Sequence, residues 1–250
     1  MTRFISLLIA ILITALCPIA TAQSSTQPYS VVLVHGAFVD ASGWRATYDI
    51  LTEKGFEVIV VQNPTVSLAG DVAVTRRAIA AAAHPVILVG HSYGGAVITE
   101  AGADPKVRSL VYIAAFAPEV GENVFSLATR PIPGEHGAPL LPPKDGYLFV
   151  DPAQFPTAFA AGADQELARF MADSQVPWGL EAVETKITAA AWKSKPSFFM
   201  VTTEDRMIQP TLQRDMAQRA GSTTIQIASS HAVMLTHPDE VAAFIQSAAE

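Results

Sequence analysis

Val86-Ile87-Leu88-Val89 runs straight into Gly90-His91-Ser92-Tyr93-Gly94-Gly95, and Ala96-Val97-Ile98 follow with helix-compatible residues. Four consecutive apolar residues without polar alternation describe a strand buried on both faces. A strand that turns at once into a helix forces the corner residue into a strained conformation, with its side chain standing above the sheet. Small residues two positions either side let the chain turn that sharply. Gly90 and Gly94 are therefore geometric requirements, and Ser92 Oγ is an exposed group at the start of a helix. By itself the G-x-S-x-G pattern arises by chance in roughly one chain in ten of this length, so the flanking strand and helix carry its meaning. The plain alternative is a glycine-flanked serine that only caps a helix.

Working outward, similar apolar runs recur at Val31–Val34, Val58–Val61, Leu110–Ile113, Phe198–Val201 and Thr223–Ile227. Helical patterns lie between them: Trp44, Tyr48 and Leu51 ending at Gly55; Leu212, Met216 and Ala220 ending at Gly221; and Val241, Phe244, Ile245 and Ala248 opening on Thr236-His237-Pro238. Strands alternating with helices predict a mostly parallel sheet of about six strands flanked by helices, in one domain over residues 23–250. From about Glu119 to Lys195 the rhythm breaks, with prolines at 131, 133, 139, 142 and 143 and short pieces bearing Phe155, Phe159, Phe170, Met171 and Trp178. This stretch is expected to form a cap over the crevice at the strand carboxyl ends, or a surface excursion with its own small core.

At the amino end, Arg3 precedes an apolar run from Phe4 to Leu16, then Cys17, Pro18 and Ala20-Thr21-Ala22. That is the layout of a signal peptide over residues 1–22, cut after Ala22, in an exported (periplasmic or secreted) protein; the rival reading is an uncleaved anchor. Cleavage would remove the only cysteine and with it any disulfide. A net charge of −7 without long like-charge runs argues against nucleic acid and against stable membrane association after cleavage. A small-molecule substrate is expected instead, while the oligomeric state is left open.

A serine nucleophile needs a base, an acid and oxyanion donors. The backbone N–H of Tyr93 is one donor; the second is expected from Ala37, after the glycine turn of Val34-His35-Gly36. With triad members in the chain order serine, acid, histidine, His231 in Ser229-Ser230-His231 stands where the base belongs, after the final strand. His84 precedes the serine strand, His136 lies in the cap, His237 belongs to a helix start, and His35 and His91 fit structural or pocket-lining roles. For the acid, Glu204 and Asp205 end the preceding strand together; placement at the head of the loop to Pro210 favours Asp205, with Glu119 and Glu122 as more distant alternatives. No cofactor and no metal is expected.

Val32–Ala37, Val86–Gly95, Ala114-Ala115-Phe116-Ala117-Pro118, Thr203-Glu204-Asp205 and Ser230–Leu235 together resemble the plant methylesterase and hydroxynitrile lyase branch of the α/β-hydrolases, and small bacterial esterases similar to it. The resemblance implies an α/β-hydrolase fold, a triad of Ser92, Asp205 and His231, and oxyanion donors at Ala37 and Tyr93. Lyases of that branch carry threonine at the position of Gly36 and lysine at that of Ala232, so the resemblance implies a carboxylic ester hydrolase rather than cyanohydrin cleavage. The same triad also serves lactone opening, amide hydrolysis and cofactor-free perhydrolysis. From a different class, a non-catalytic ligand-binding protein would keep the pocket without turnover.

Overall fold

Unbroken apolar runs become the central strands because a parallel strand covered by helices on both sides has no face for water. The structure, a computed structural model, describes residues 28–249, so the leader read at residues 1–22 lies outside the described residues. Its strands are β1 (Ser30–Val34), β2 (Glu57–Val61), β3 (Val86–His91), β4 (Val107–Ile113), β5 (Tyr147–Leu148), β6 (Trp178–Gly179), β7 (Ser197–Thr202) and β8 (Thr223–Ile227). Six form one parallel sheet in the order β2-β1-β3-β4-β7-β8, and β5 and β6 form a short antiparallel ribbon. Every residue of β1 and β3 is buried.

The last strand departs from expectation. It lies at the sheet edge, where Thr223-Thr224-Ile225-Gln226 are all exposed, Ile225 by 39%. A single strand neighbour and threonine and glutamine side chains suit it to water.

The helices are α1 (Arg45–Glu53), α2 (Leu68–Ala81), α3 (Gly94–Ala101), α4 (Val124–Ala128), α5 (Phe155–Ala158), α6 (Gln165–Asp173), α7 (Leu180–Glu184), α8 (Pro210–Arg219), α9 (Val233–Thr236) and α10 (Pro238–Ser247). Among the described residues none is long and apolar enough to cross a membrane. Proline at the first position of α8 and α10 costs no hydrogen bond there and presets the helical φ.

From β1 the chain steps outward to β2 and then returns across β1 to β3. The crevice at the carboxyl ends of β1 and β3 is thus the point where strand order reverses, the position where such sheets bind ligands. The segment between β4 and β7 is not uniformly a roof. Its flanks are fastened to the body, with α7 packed on α2 and α4, and the turn Ala191–Lys193 packed on α3. Its middle lies over the crevice: the Phe38 carbonyl accepts from the Val176 N–H at 3.1 Å, and the Ala232 N–H donates to the Phe159 carbonyl at 2.9 Å.

Candidate active site

β3 delivers the chain to Ser92, which sits at φ +55, a left-handed conformation that costs a non-glycine residue of order 1–3 kcal/mol. The backbone around it is tied down. Its N–H donates to the Ile113 carbonyl at 3.3 Å, and its own carbonyl accepts from the N–H groups of Gly95 at 3.0 Å and Phe116 at 3.1 Å. A Cβ on Gly90 would lie 2.6 Å from the Gly94 carbonyl oxygen, and one on Gly94 would lie 2.6 Å from that of Val34. Neither contact can be relieved by a side-chain rotation. Across the crevice, a Cβ on Gly36 would stand 2.6 Å from Ser92 Cβ and 3.1 Å from its Oγ. The hydroxyl therefore lies against the loop that carries Ala37, with no room for a threonine at residue 36 as the backbone stands.

His231, fully buried after β8, is 2.8 Å from Asp205 through Nδ1 and Oδ2. Asp205 is saturated with donors: Oδ1 accepts from the N–H groups of Met207 (2.7 Å) and Ile208 (2.9 Å), and Oδ2 also accepts from Thr202 Oγ1 (2.9 Å) and Gln213 Nε2 (2.8 Å). Five donors on one carboxylate fix its orientation toward the imidazole. With Nδ1–H donating to Asp205, Nε2 of His231 carries the lone pair, and it is buried with no hydrogen-bond partner. Ser92 Oγ is not bonded to it in this structure; such contacts commonly tighten only when substrate is bound. Glu204 points to water, while Glu119 pairs with Lys193 at 2.7 Å and Glu122 with Arg219 at 2.8 Å. Of the four carboxylates weighed from the sequence, only Asp205 touches a histidine.

Two further histidines brace the site. His35 Nε2 accepts from the Asn63 N–H at 2.8 Å, so its proton is on Nδ1, which donates to the Gly36 carbonyl at 2.8 Å. That pattern requires a neutral ring and staples the Gly36-Ala37 turn to the loop after β2. His91 Nε2 donates to the His231 carbonyl at 2.9 Å, fixing the backbone of the proposed base. Burial lowers the basicity of both rings, and for His91 the neighbouring His231 adds to the effect.

A pH dependence of stability follows. The unfolded imidazoles take up protons near the ordinary value of 6.5, whereas the folded ones resist until lower pH. Between those limits the unfolded chain binds more protons, so stability that is complete above 6.5 falls as pH drops, by at most about 1.4 kcal/mol per pH unit for each ring. Thermal melts from pH 7.5 to 5 are expected to show a falling Tm, less steeply in His35→Gln. Identical Tm values across that range would refute the assignment.

Beside the site lies a cavity of about 200 Å³ lined mainly by Phe38, Trp44, Phe159, Met171, Met234 and Leu235, with His35, His91, Asp40 and Ser42 also in its wall. A wider cleft of about 610 Å³, lined by Glu135, His136, Glu204 and Arg206 among others, includes Asp205 in its wall but not Ser92, His231 or Ala37. We assign the apolar cavity to the site, because its walls include the immediate neighbours of Ala37, Ser92 and His231. His237 is at the start of α10, its Nδ1 2.8 Å from Thr236 Oγ1, away from this grouping.

Sequence reading missed Gln213, fully buried on α8, whose Nε2 donates to Asp205 and to the Ile208 carbonyl at 2.8 Å each. The available signal was a glutamine in the buried stripe of Leu212, Met216 and Ala217.

The match to known families covers this whole arrangement: the alpha/beta hydrolase family matches residues 31–244. The chain belongs to the alpha/beta hydrolase family. Among curated relatives, the carbendazim hydrolyzing esterase of Nocardioides sp. (strain SG-4G) is 38% identical over 122 residues, 43% of this chain and 50% of that protein. The alignment thus spans about half of that relative's length. Among solved structures, a pyrethroid hydrolase from Sphingobium faniae JZ-2 superposes with a TM-score of 0.74 at 20% identity, over 88% of this chain and 97% of that one. The methylesterase MES16 from Arabidopsis gives 0.71 at 19% identity, over 88% and 98%. The expected likeness to methylesterases and bacterial esterases holds for this alpha/beta hydrolase at the level of family and fold.

Proposed function

We propose that this alpha/beta hydrolase cleaves carboxylic esters of small apolar molecules through an acyl-enzyme on Ser92. The observation that carries the reading is the unpartnered Nε2 of His231, whose other nitrogen is held by Asp205, in a fold that strains Ser92 at a strand-to-helix corner. Relatives named as esterases support it further.

In this mechanism the Ser92 hydroxyl proton passes to His231 Nε2 as Oγ bonds to the acyl carbon. The carbonyl electron pair moves to oxygen, which turns toward the N–H groups of Ala37 and Tyr93. Collapse expels the alkoxide, which takes the proton back from Nε2 and leaves as the alcohol. Water then gives a proton to the same nitrogen, attacks the acyl-enzyme, and frees the carboxylic acid and Ser92.

The cavity bounds the substrate. A dry void of roughly 150 Å³ takes one benzene ring, so about 200 Å³ of mainly apolar-walled space suits a single ring or a short branched chain on the ester. A panel of aryl and alkyl esters and lactones of increasing size, together with a fluorophosphonate probe, tests this. Turnover is expected to peak at ring-sized apolar esters, with the phosphonyl adduct located on Ser92 by mass spectrometry. An adduct elsewhere, or no ester turned over, refutes the reading.

A further inference from the structure

Among the described residues two aspartates are buried. Asp205 has a place in the proposed chemistry; Asp71, with no exposed surface at all, does not. Asp71 lies in the first turn of α2, where the helix dipole favours a negative charge. Its Oδ2 accepts from the Tyr93 hydroxyl at 2.6 Å and its Oδ1 from the Thr65 N–H at 2.8 Å. Burial pushes the Asp71 carboxyl up, and these two donors act against that rise. Burial, reinforced by Asp71, pushes the Tyr93 phenol well up and keeps it a donor.

Both partners of Asp71 lead to the catalytic machinery. Tyr93 follows Ser92 in the chain, and its N–H is one of the two oxyanion donors proposed above. Thr65, held at φ +56, shares its hydroxyl proton between the carbonyls of Pro64 and Pro177, each at 2.8 Å, and its own carbonyl accepts from the Gly179 N–H at 2.8 Å. Between Pro177 and Gly179 stands Trp178, whose ring lies 5.2 Å from that of Tyr93 and 5.4 Å from that of Phe38. One carboxylate, through Thr65, thus ties the residue after the nucleophile to the cap segment packed on the Tyr93 ring.

We propose that Asp71 is a positioning residue, which holds Tyr93 and the cap segment Pro177–Gly179 in register so that the Tyr93 N–H stays aimed at the oxyanion. The inference rests on Ser92 as nucleophile. An aspartate that served only to stabilise the fold would affect melting, whereas a positioning residue lowers kcat in protein that is still folded. The geometry also separates the parts: Tyr93→Phe removes the hydroxyl and leaves the N–H in place, and Asp71→Asn can still accept from Thr65 while its amide donates to the Tyr93 oxygen.

The test is kcat and KM for a small activated ester, p-nitrophenyl acetate, at a temperature well below each variant's Tm. The variants are Asp71→Asn, Asp71→Leu, Tyr93→Phe and the Asp71→Leu/Tyr93→Phe double. Asp71→Leu and Tyr93→Phe are each expected to lower kcat about tenfold to a hundredfold with KM within about twofold. Asp71→Asn should recover most of the loss, and the double variant should match the worse single rather than the product of the two. Wild-type kcat in folded Asp71→Leu or Tyr93→Phe, or losses that multiply in the double, overturns the proposal. If Asp71→Leu does not fold, Tyr93→Phe decides alone by the same criterion. Ser92→Ala, assayed beside them, separates the two readings: activity retained there removes the nucleophile, whereas activity lost there with wild-type kcat in the Asp71 and Tyr93 variants removes only the positioning role.

Discussion

Ser92→Ala is expected to abolish turnover of activated esters, lowering kcat by on the order of 10⁴-fold or more, while the protein keeps its fold. The size of the effect follows from the mechanism: without Oγ there is no acyl-enzyme, and His231 has no hydroxyl to deprotonate. Folding should survive or improve slightly, because alanine replaces serine at φ +55 without losing a side-chain hydrogen bond. Steady-state kinetics and a thermal melt on the same sample check both halves. Full activity in Ser92→Ala would remove the serine from the chemistry and overturn the assignment.

The second large effect concerns the acid. Asp205→Asn is expected to lower kcat by about 10⁴-fold, since an amide in that place no longer stabilises the imidazolium and favours the wrong tautomer of His231. Glu204→Gln should stay within about twofold, its side chain being exposed. The contrast is sharp because adjacent residues on one strand end point in opposite directions: Asp205 turns inward to five donors, and Glu204 turns outward. Kinetics on the two variants decide it, and a larger loss in Glu204→Gln would overturn the assignment. Asp205→Asn should also destabilise the protein, because the buried cluster of Thr202, Met207, Ile208 and Gln213 loses its shared acceptor charge.

The expected strands and the strand-to-helix corner were legible because they depend on neighbours in sequence. A continuous run such as Val31–Val34 has no polar face to offer water, whatever it packs against. Gly90 and Gly94 flank a corner whose backbone leaves no volume for a Cβ. The edge position of β8 was less legible, since Thr223–Ile227 is compatible with either a central or an outer strand until strand order is known. The cap was legible as an interruption, but not which of its pieces roof the crevice and which are fastened to α2 and α3.

What the sequence by itself determined is the parallel sheet, the corner at Ser92 and a short choice of bases and acids, because short-range sterics and hydrophobic periodicity suffice for those. Tertiary structure shows Asp205, which its placement already favoured over Glu204, against His231, and it alone decided that Gln213 and His91 hold that pair and that Asp71 joins Tyr93 to the cap. Each of those contacts links residues between 8 and 140 positions apart. Hydrogen bonds need aim to within a few tenths of an ångström, and that aim is set by side chains packed from distant elements, which no local pattern encodes.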